Sequence, residues 1–206
     1  MSLNDEYISI INNLNGDVEG REKALKCLLD TDVDAHGEPL NFSYLPYLVD
    51  KDLNSKFNDI VTTTHSILTK IIREYLKNPD YRELFGYSKD MERLILMPCG
   101  YSELLPMARF DVFIDEDTGD FQFCEFNTDG TSCMSRDLVL GECVAKGNAF
   151  KQFSDSHKVK NYELFDSWAS ACLKNYRECE YATENPVFAI ADFMDEHATF
   201  SDFNRF

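Results

Sequence analysis

Two alternating stretches on either side of a short acidic turn constrain this chain more than any other segment. Arg109 to Ile114 alternates polar and apolar, the turn Asp115-Glu116-Asp117-Thr118-Gly119-Asp120 follows, and Phe121 to Asn127 alternates again. Side chains along a strand point to opposite faces in turn, so the pattern predicts two antiparallel strands joined as a β-hairpin. Gly119 supplies the positive φ that such a loop requires. Arg109, Asp111 and Phe113 then share one face of the first strand, and Phe121, Phe123, Glu125 and Asn127 one face of the second. With the loop at about Glu116 to Asp120, Asp115 pairs with Phe121, Phe113 with Phe123, Asp111 with Glu125, and Arg109 with Asn127. A slip of a single position would set Asp111 opposite Cys124 and scatter the polar groups.

That register has a chemical consequence. Two carboxylates directly opposite each other repel, at a cost of a few tenths to about 1 kcal/mol. A divalent cation offsets this, and Mg²⁺ in particular is held by one or two carboxylates together with substrate phosphates. Asp111, Glu125 and the amide oxygen of Asn127 form such a set of hard oxygen ligands. Arg109 at the rim suits bidentate contact with a phosphate. Together these are parts of a phosphoryl-transfer site. The same residues also have a plainer use, in which Arg109 simply pairs with Asp111 or Glu125 on a solvated sheet face.

Charge points the same way. Lys and Arg number 20 against 37 Asp and Glu, a net charge of −17. A duplex-binding surface needs clustered cations to displace counterions, so nucleic acid is not an expected partner. Anionic membranes are disfavoured for the same reason, and no apolar run is long enough to span a bilayer. Cations, or substrates held through cations, fit better. No basic region followed by an apolar stretch opens the sequence. The seven cysteines are odd in number and contain no C-x-x-C, which predicts reduced, mostly buried thiols and a cytoplasmic protein.

Along the rest of the chain, Tyr7, Ile10, Ile11 and Leu14 repeat at helical spacing up to Asn15-Gly16, and Ala24, Leu25, Leu28 and Leu29 mark a second helix. Asp30 to Pro46 reads as a loop. The longest stripe runs from Leu53 to Tyr75 and stops at Asn78-Pro79-Asp80; His65 within it reads as a surface or satisfied core histidine. Leu94-Ile95-Leu96-Met97 predicts a short buried strand. Helices are expected around Met134–Ala149 and Tyr162–Tyr176, and a last strand over Val187–Ala191. The acidic turn is not a calcium loop, because Asp120 and Phe126 stand where an EF-hand starting at Asp115 needs Gly and Glu. Cys133 with His157 as partner lacks any local motif of a nucleophilic pair. The fold class is therefore α/β: a mainly helical portion over 1–90 packed on a mixed β-sheet in an α/β portion over 91–206, with the site hairpin at 109–127, the whole forming one compact unit. Asp192 to Phe206 is too short to complete a strand–helix–strand unit of about 30 residues, so the chain is expected to be part of a longer protein.

At the hairpin the sequence resembles the glutathionylspermidine synthase-like proteins. The likeness lies in Arg109-Phe110-Asp111 on one strand and Glu125-Phe126-Asn127-Thr128-Asp129-Gly130-Thr131-Ser132 on the next. Phe126 stands where that family has Tyr, and Gly130 where it has a small hydroxyl residue or a Thr-Pro segment. The resemblance implies a carbon–nitrogen ligase of the circularly permuted ATP-grasp type, in which ATP activates a carboxylate as an acyl phosphate and an amine attacks it. It implies that Arg109 contacts the transferring phosphate, acting in catalysis and in nucleotide binding, and that Asp111, Glu125 and Asn127 hold Mg²⁺. Ser132 and Thr131 would contact a small-molecule or peptide substrate. The family's adenine- and phosphate-binding lysines lie in a following ATP-grasp portion, so residues 1–206 would be the pre-ATP-grasp-like N-terminal part, inactive without it. The alternative is a non-catalytic cation- or ligand-binding domain that keeps the fold without ligase activity.

Overall fold

The computed structural model describes residues 2–35, 38–115, 118–128, 133–191 and 201–206. Helix α1, Leu3–Asn13, starts on a reciprocal cap in which the Asp5 N–H donates to Ser2 Oγ at 3.1 Å and the Ser2 N–H to Asp5 Oδ2 at 3.0 Å. Two donors that a helix start leaves orphaned are thereby satisfied. The helix ends in a left-handed run, Asn15 (φ 52°), Gly16 (φ 85°) and Asp17 (φ 43°), and α2, Val18–Leu29, begins directly on Asp17. Within the predicted loop, β1 (Asp34–Ala35) pairs antiparallel with β2 (Glu38–Pro39). Helix α3, Lys51–Lys77, carries the long stripe, and Asn78 caps the short α4, Pro79–Glu83, by accepting from the Asp80 and Tyr81 N–H groups.

Helix α5, Lys89–Ile95, corrects one expectation: Leu94 and Ile95 are helical rather than a strand, and Leu94 to Met97 are exposed rather than buried. Ser88 Oγ accepts the Met91 N–H at 3.2 Å, and Asp90 and Glu92 lie in the first turn. Those start signals precede the apolar run and draw it into helix. Strands β3 (Arg109–Ile114) and β4 (Phe121–Asn127) form the predicted hairpin. The stretch around Met134–Ala149 is two helices, α6 (Met134–Val144) and α7 (Asn148–Ser154), parted at Gly147. Helix α8 covers Phe165–Arg177 and α9 covers Ser201–Arg205.

The protein is thus mixed α/β, but the single mixed sheet expected from the sequence is replaced, among the described residues, by two separate antiparallel pairs. Val187 to Ala191 is not a strand, and Val187 is 95% exposed. An apolar run becomes a strand only when a neighbour takes its backbone groups, and none of the described strands pairs with it.

The chain divides into two compact units: Met1–Asp50 with Ser132–Ser167 and Phe188–Phe206, and Lys51–Thr131 with Trp168–Val187. The borders follow packing rather than position 90, where the sequence pattern changes. In the first unit Ala24 and Leu28 of α2 pack with Val33 against Val139 and Cys143 of α6. Tyr7 of α1 meets Phe153 of α7 edge-on, ring centroids 5.4 Å apart, with Ala149 beneath. In the second unit Ile60, Thr64, Thr69 and Tyr75 are the buried positions of α3. Arg82 ties the end of that helix to α5, with Nε 2.7 Å from Glu92 Oε1 and Nη1 3.0 Å from the Tyr75 carbonyl. No helix among the described residues is long and apolar enough to cross a membrane. All seven cysteines are free thiols, yet only Cys143 is buried while Cys99 and Cys124 are exposed. The expectation of mostly buried thiols fails: Cys27, Cys133, Cys172 and Cys179 are only partly covered, and Cys124 lies on the two-stranded sheet of β3 and β4.

Candidate hairpin site and a neighbouring cleft

In the hairpin Arg109 pairs with Asn127, Phe110 with Phe126 and Asp111 with Glu125; the register then jumps, and Val112 pairs with Phe123, Phe113 with Gln122 and Ile114 with Phe121. Cys124 is the extra residue of a β-bulge. The loop is accordingly tighter than predicted: the Asp115 N–H donates to the Asp120 carbonyl at 2.8 Å, and the Thr118 N–H to Asp115 Oδ1 at 2.8 Å. Gly119 takes φ 69°. The bulge also sorts the faces. Phe123 lies 4.9 Å from Phe126 and 5.4 Å from Phe121, and Phe126 lies 5.2 Å from Phe110. Those four rings form one face, so Phe121 and Phe123 do not share a face with Glu125, and the expected Phe113–Phe123 pair does not form.

Arg109, Asp111, Glu125 and Asn127 gather on the other face. Arg109 Nε is 2.9 Å from Asp111 Oδ1, and its Nη2 is 3.4 Å from Asp111 Oδ2 and 3.5 Å from Glu125 Oε1. Asn127 Nδ2 donates to Glu125 Oε1 at 3.0 Å. One guanidinium therefore bridges both carboxylates and offsets their repulsion, the plainer of the two uses read from the sequence. The side chains of Arg109, Asp111 and Glu125 are 34%, 37% and 54% exposed. At that exposure each ion pair is worth at most about 1 kcal/mol, so a competing cation or phosphate displaces it at low cost. Among the described residues no group of three or more His, Cys, Asp or Glu side chains converges to hold a metal. The donor set of two carboxylates and one amide still suits Mg²⁺, which commonly completes its shell with water and phosphate oxygens. Thr131 and Ser132, the expected substrate contacts, lie outside the described residues.

A second concave feature belongs to the same unit and was not foreseen. An open cleft of about 360 Å³ runs between α3, α8 and the segment leading into β3, with Phe110 in its wall. Val61, Thr62 and His65 face it from α3, and Ala171, Lys174 and Asn175 from α8. Both triplets have the spacing of one helical face. That spacing was the only available signal, and nothing in the sequence says that the two faces meet. His65 Nε2 lies 3.3 Å from the Leu105 carbonyl and 3.4 Å from Glu103 Oε1. Both partners are acceptors, so Nε2 carries a proton. The sequence reading of His65 as a satisfied histidine matches these bonds, but misses its place in a cleft.

Cys133 and His157 serve separate structural tasks. Cys133 stands at the start of α6 with φ 77° and no side-chain cap of its own. Asp202 of α9 supplies that cap, its Oδ2 accepting the Cys133 N–H at 3.0 Å and its Oδ1 the Ser135 N–H at 2.6 Å. His157 stacks on Phe153 with ring centroids 4.1 Å apart and faces Glu6 at 3.5 Å. No protein-family model, curated protein or solved structure matches this chain.

Proposed function

We propose that residues 1–206 act as the pre-ATP-grasp-like part of an ATP- and Mg²⁺-dependent carbon–nitrogen ligase resembling glutathionylspermidine synthase. The observation that carries this reading is the gathering of Arg109, Asp111, Glu125 and Asn127 on one solvent-facing side of the hairpin. In this reading Asp111, Glu125 and the Asn127 amide oxygen hold Mg²⁺, which neutralises charge on the ATP phosphates. Arg109 leaves the two carboxylates for a phosphate oxygen and stabilises the charge of the transferring group, a role whose removal typically costs about 10²–10³ in rate. Thr131 and Ser132 contact the small-molecule or peptide substrate. The adenine- and phosphate-binding lysines are supplied by an ATP-grasp portion outside residues 1–206, and the protein works in the cytoplasm.

A second reading, a cation-binding module without chemistry, is favoured by one specific observation: Arg109, the group that would have to contact phosphate, is engaged by both carboxylates. Calorimetric titration of the intact gene product with Mg²⁺, alone and with ATP, separates the two. The ligase reading expects Mg²⁺ and ATP each to strengthen binding of the other, with Asp111→Asn weakening the Mg²⁺ term by about ten-fold or more and Arg109→Met removing the ATP term. Mg²⁺ binding indifferent to ATP supports the module. Identical titrations of wild type and Asp111→Asn would falsify both.

A further inference from the structure

We propose that the cleft between α3 and α8 binds a small monocarboxylic acid with an apolar body. No residue of the Arg109–Asn127 cluster lines this cleft, and the inference does not depend on the ligase reading. Its volume, about 360 Å³, sits at the small end of the range of about 300–1,000 Å³ usual for ligand sites. Leu105, Pro106, Phe110 and Ala171 give it apolar walls, and Leu105 is only 7% exposed.

The polar groups in the cleft divide into those engaged by other protein groups and those that are not. Glu103 Oε1 accepts the Leu105 N–H at 3.2 Å and lies 3.4 Å from His65 Nε2, whose hydrogen bond goes to the Leu105 carbonyl at 3.3 Å, so both groups are already engaged. Thr62, Lys174 and Asn175 differ: among the described residues none of their side chains makes a hydrogen bond or ion pair. Lys174 helps to hold the Glu178 carboxyl below its usual pKa, after the larger effect of the Ser102 hydrogen bonds, and the Glu178 carboxylate is itself held by the Ser102 N–H at 2.7 Å. A cation, a hydroxyl and an amide with spare donors beside an apolar wall match a carboxylate carried on a hydrocarbon body. The single cation argues for one negative charge. A phosphate dianion would need a second cation and would meet Glu103, in a chain whose net charge is −17.

The test is titration of the whole 206-residue chain with 3-phenylpropionate, followed by calorimetry and by the His65 ring resonances. Two further probes are 3-phenylpropanol, with the same body and no charge, and inorganic phosphate. The expected result is saturable millimolar binding of the acid that moves the His65 resonances and weakens at least about five-fold in Lys174→Met. The alcohol should bind more weakly by a similar factor, and phosphate should not compete. Lys174 is exposed, so its variant should fold, and an unchanged melting temperature checks this. Ala171→Phe, which fills the cleft, should abolish binding if the site is here. The proposal is overturned if the acid does not saturate, if Lys174→Met binds it as wild type does, if the alcohol binds equally, or if the His65 resonances stay still.

Discussion

Asp17 illustrates how much a single residue can hold. It is 3% exposed, and its carboxylate accepts from Tyr44 Oη at 2.7 Å, the Ala149 N–H at 2.7 Å, Asn148 Nδ2 at 3.0 Å and the Gly20 N–H at 3.2 Å. Burial alone would raise its pKa, but these donors together outweigh burial and hold it below the usual 3.8. Since the folded value is depressed, the stabilisation is complete above the unfolded value and is lost as pH falls through the folded one. Asp17→Ala should cost about 2–4 kcal/mol near neutral pH, because it orphans several buried donors at once. Thermal melts should show the gap between wild type and variant closing below pH 3.8; a constant gap would mean that the carboxylate charge is irrelevant. The sequence hides this knot because three of its partners lie 27, 131 and 132 residues away. Elsewhere in the same unit, burial pushes the Cys143 thiol up to about 12, helped by hydrogen bonding with Cys27, which keeps it protonated and unreactive.

Among the elements, the hairpin and α5 show opposite outcomes for short apolar runs. The hairpin announces itself through alternation and a Gly-containing turn, and its pairing of Asp111 with Glu125 follows from the pattern. The Cys124 bulge was not legible, because one extra residue on one strand changes neither alternation nor turn chemistry enough to be read. Its effect on the faces is large: were Cys124 an ordinary paired position, strict alternation from Phe121 would put Phe121 and Phe123 on the carboxylate side. Deleting Cys124 makes the strand regular while keeping Phe121, Phe123 and Phe126 together and Glu125 with Asn127 on the other side. That deletion should leave the hairpin folded, with cross-strand NOEs between 111 and 125 intact and a melting temperature within a few degrees of wild type. Loss of those NOEs would mean that the bulge, and not the pattern, holds the register. At Leu94 to Met97 the cap at Ser88 outweighed the apolar run, since a capped start reduces the cost of the first helical turn.

Over the whole molecule the dominant fact is charge. A net charge of −17 makes the folded chain repel itself, and salt screens that repulsion over a Debye length of about 10 Å at 0.1 M. The melting temperature should therefore rise with NaCl between low and moderate ionic strength. Mg²⁺ at matched ionic strength should raise it further in wild type but not in Asp111→Asn. If Na⁺ and Mg²⁺ act alike, the carboxylates at the hairpin are ordinary surface charge.

What the sequence determined by itself is local: the caps, the long helix α3, the turn after α1, the hairpin and the juxtaposition of Arg109, Asp111, Glu125 and Asn127. Each depends on bonds and side-chain spacings within a few residues, or across one short turn. What only the tertiary structure decided is which faces meet. The union of α2 with α6, the knot around Asp17, the Asp202 cap on α6 and the cleft between α3 and α8 all join segments distant along the chain. Burial of apolar surface is non-directional, so an amphipathic helix records that it has a buried face and not which partner buries it.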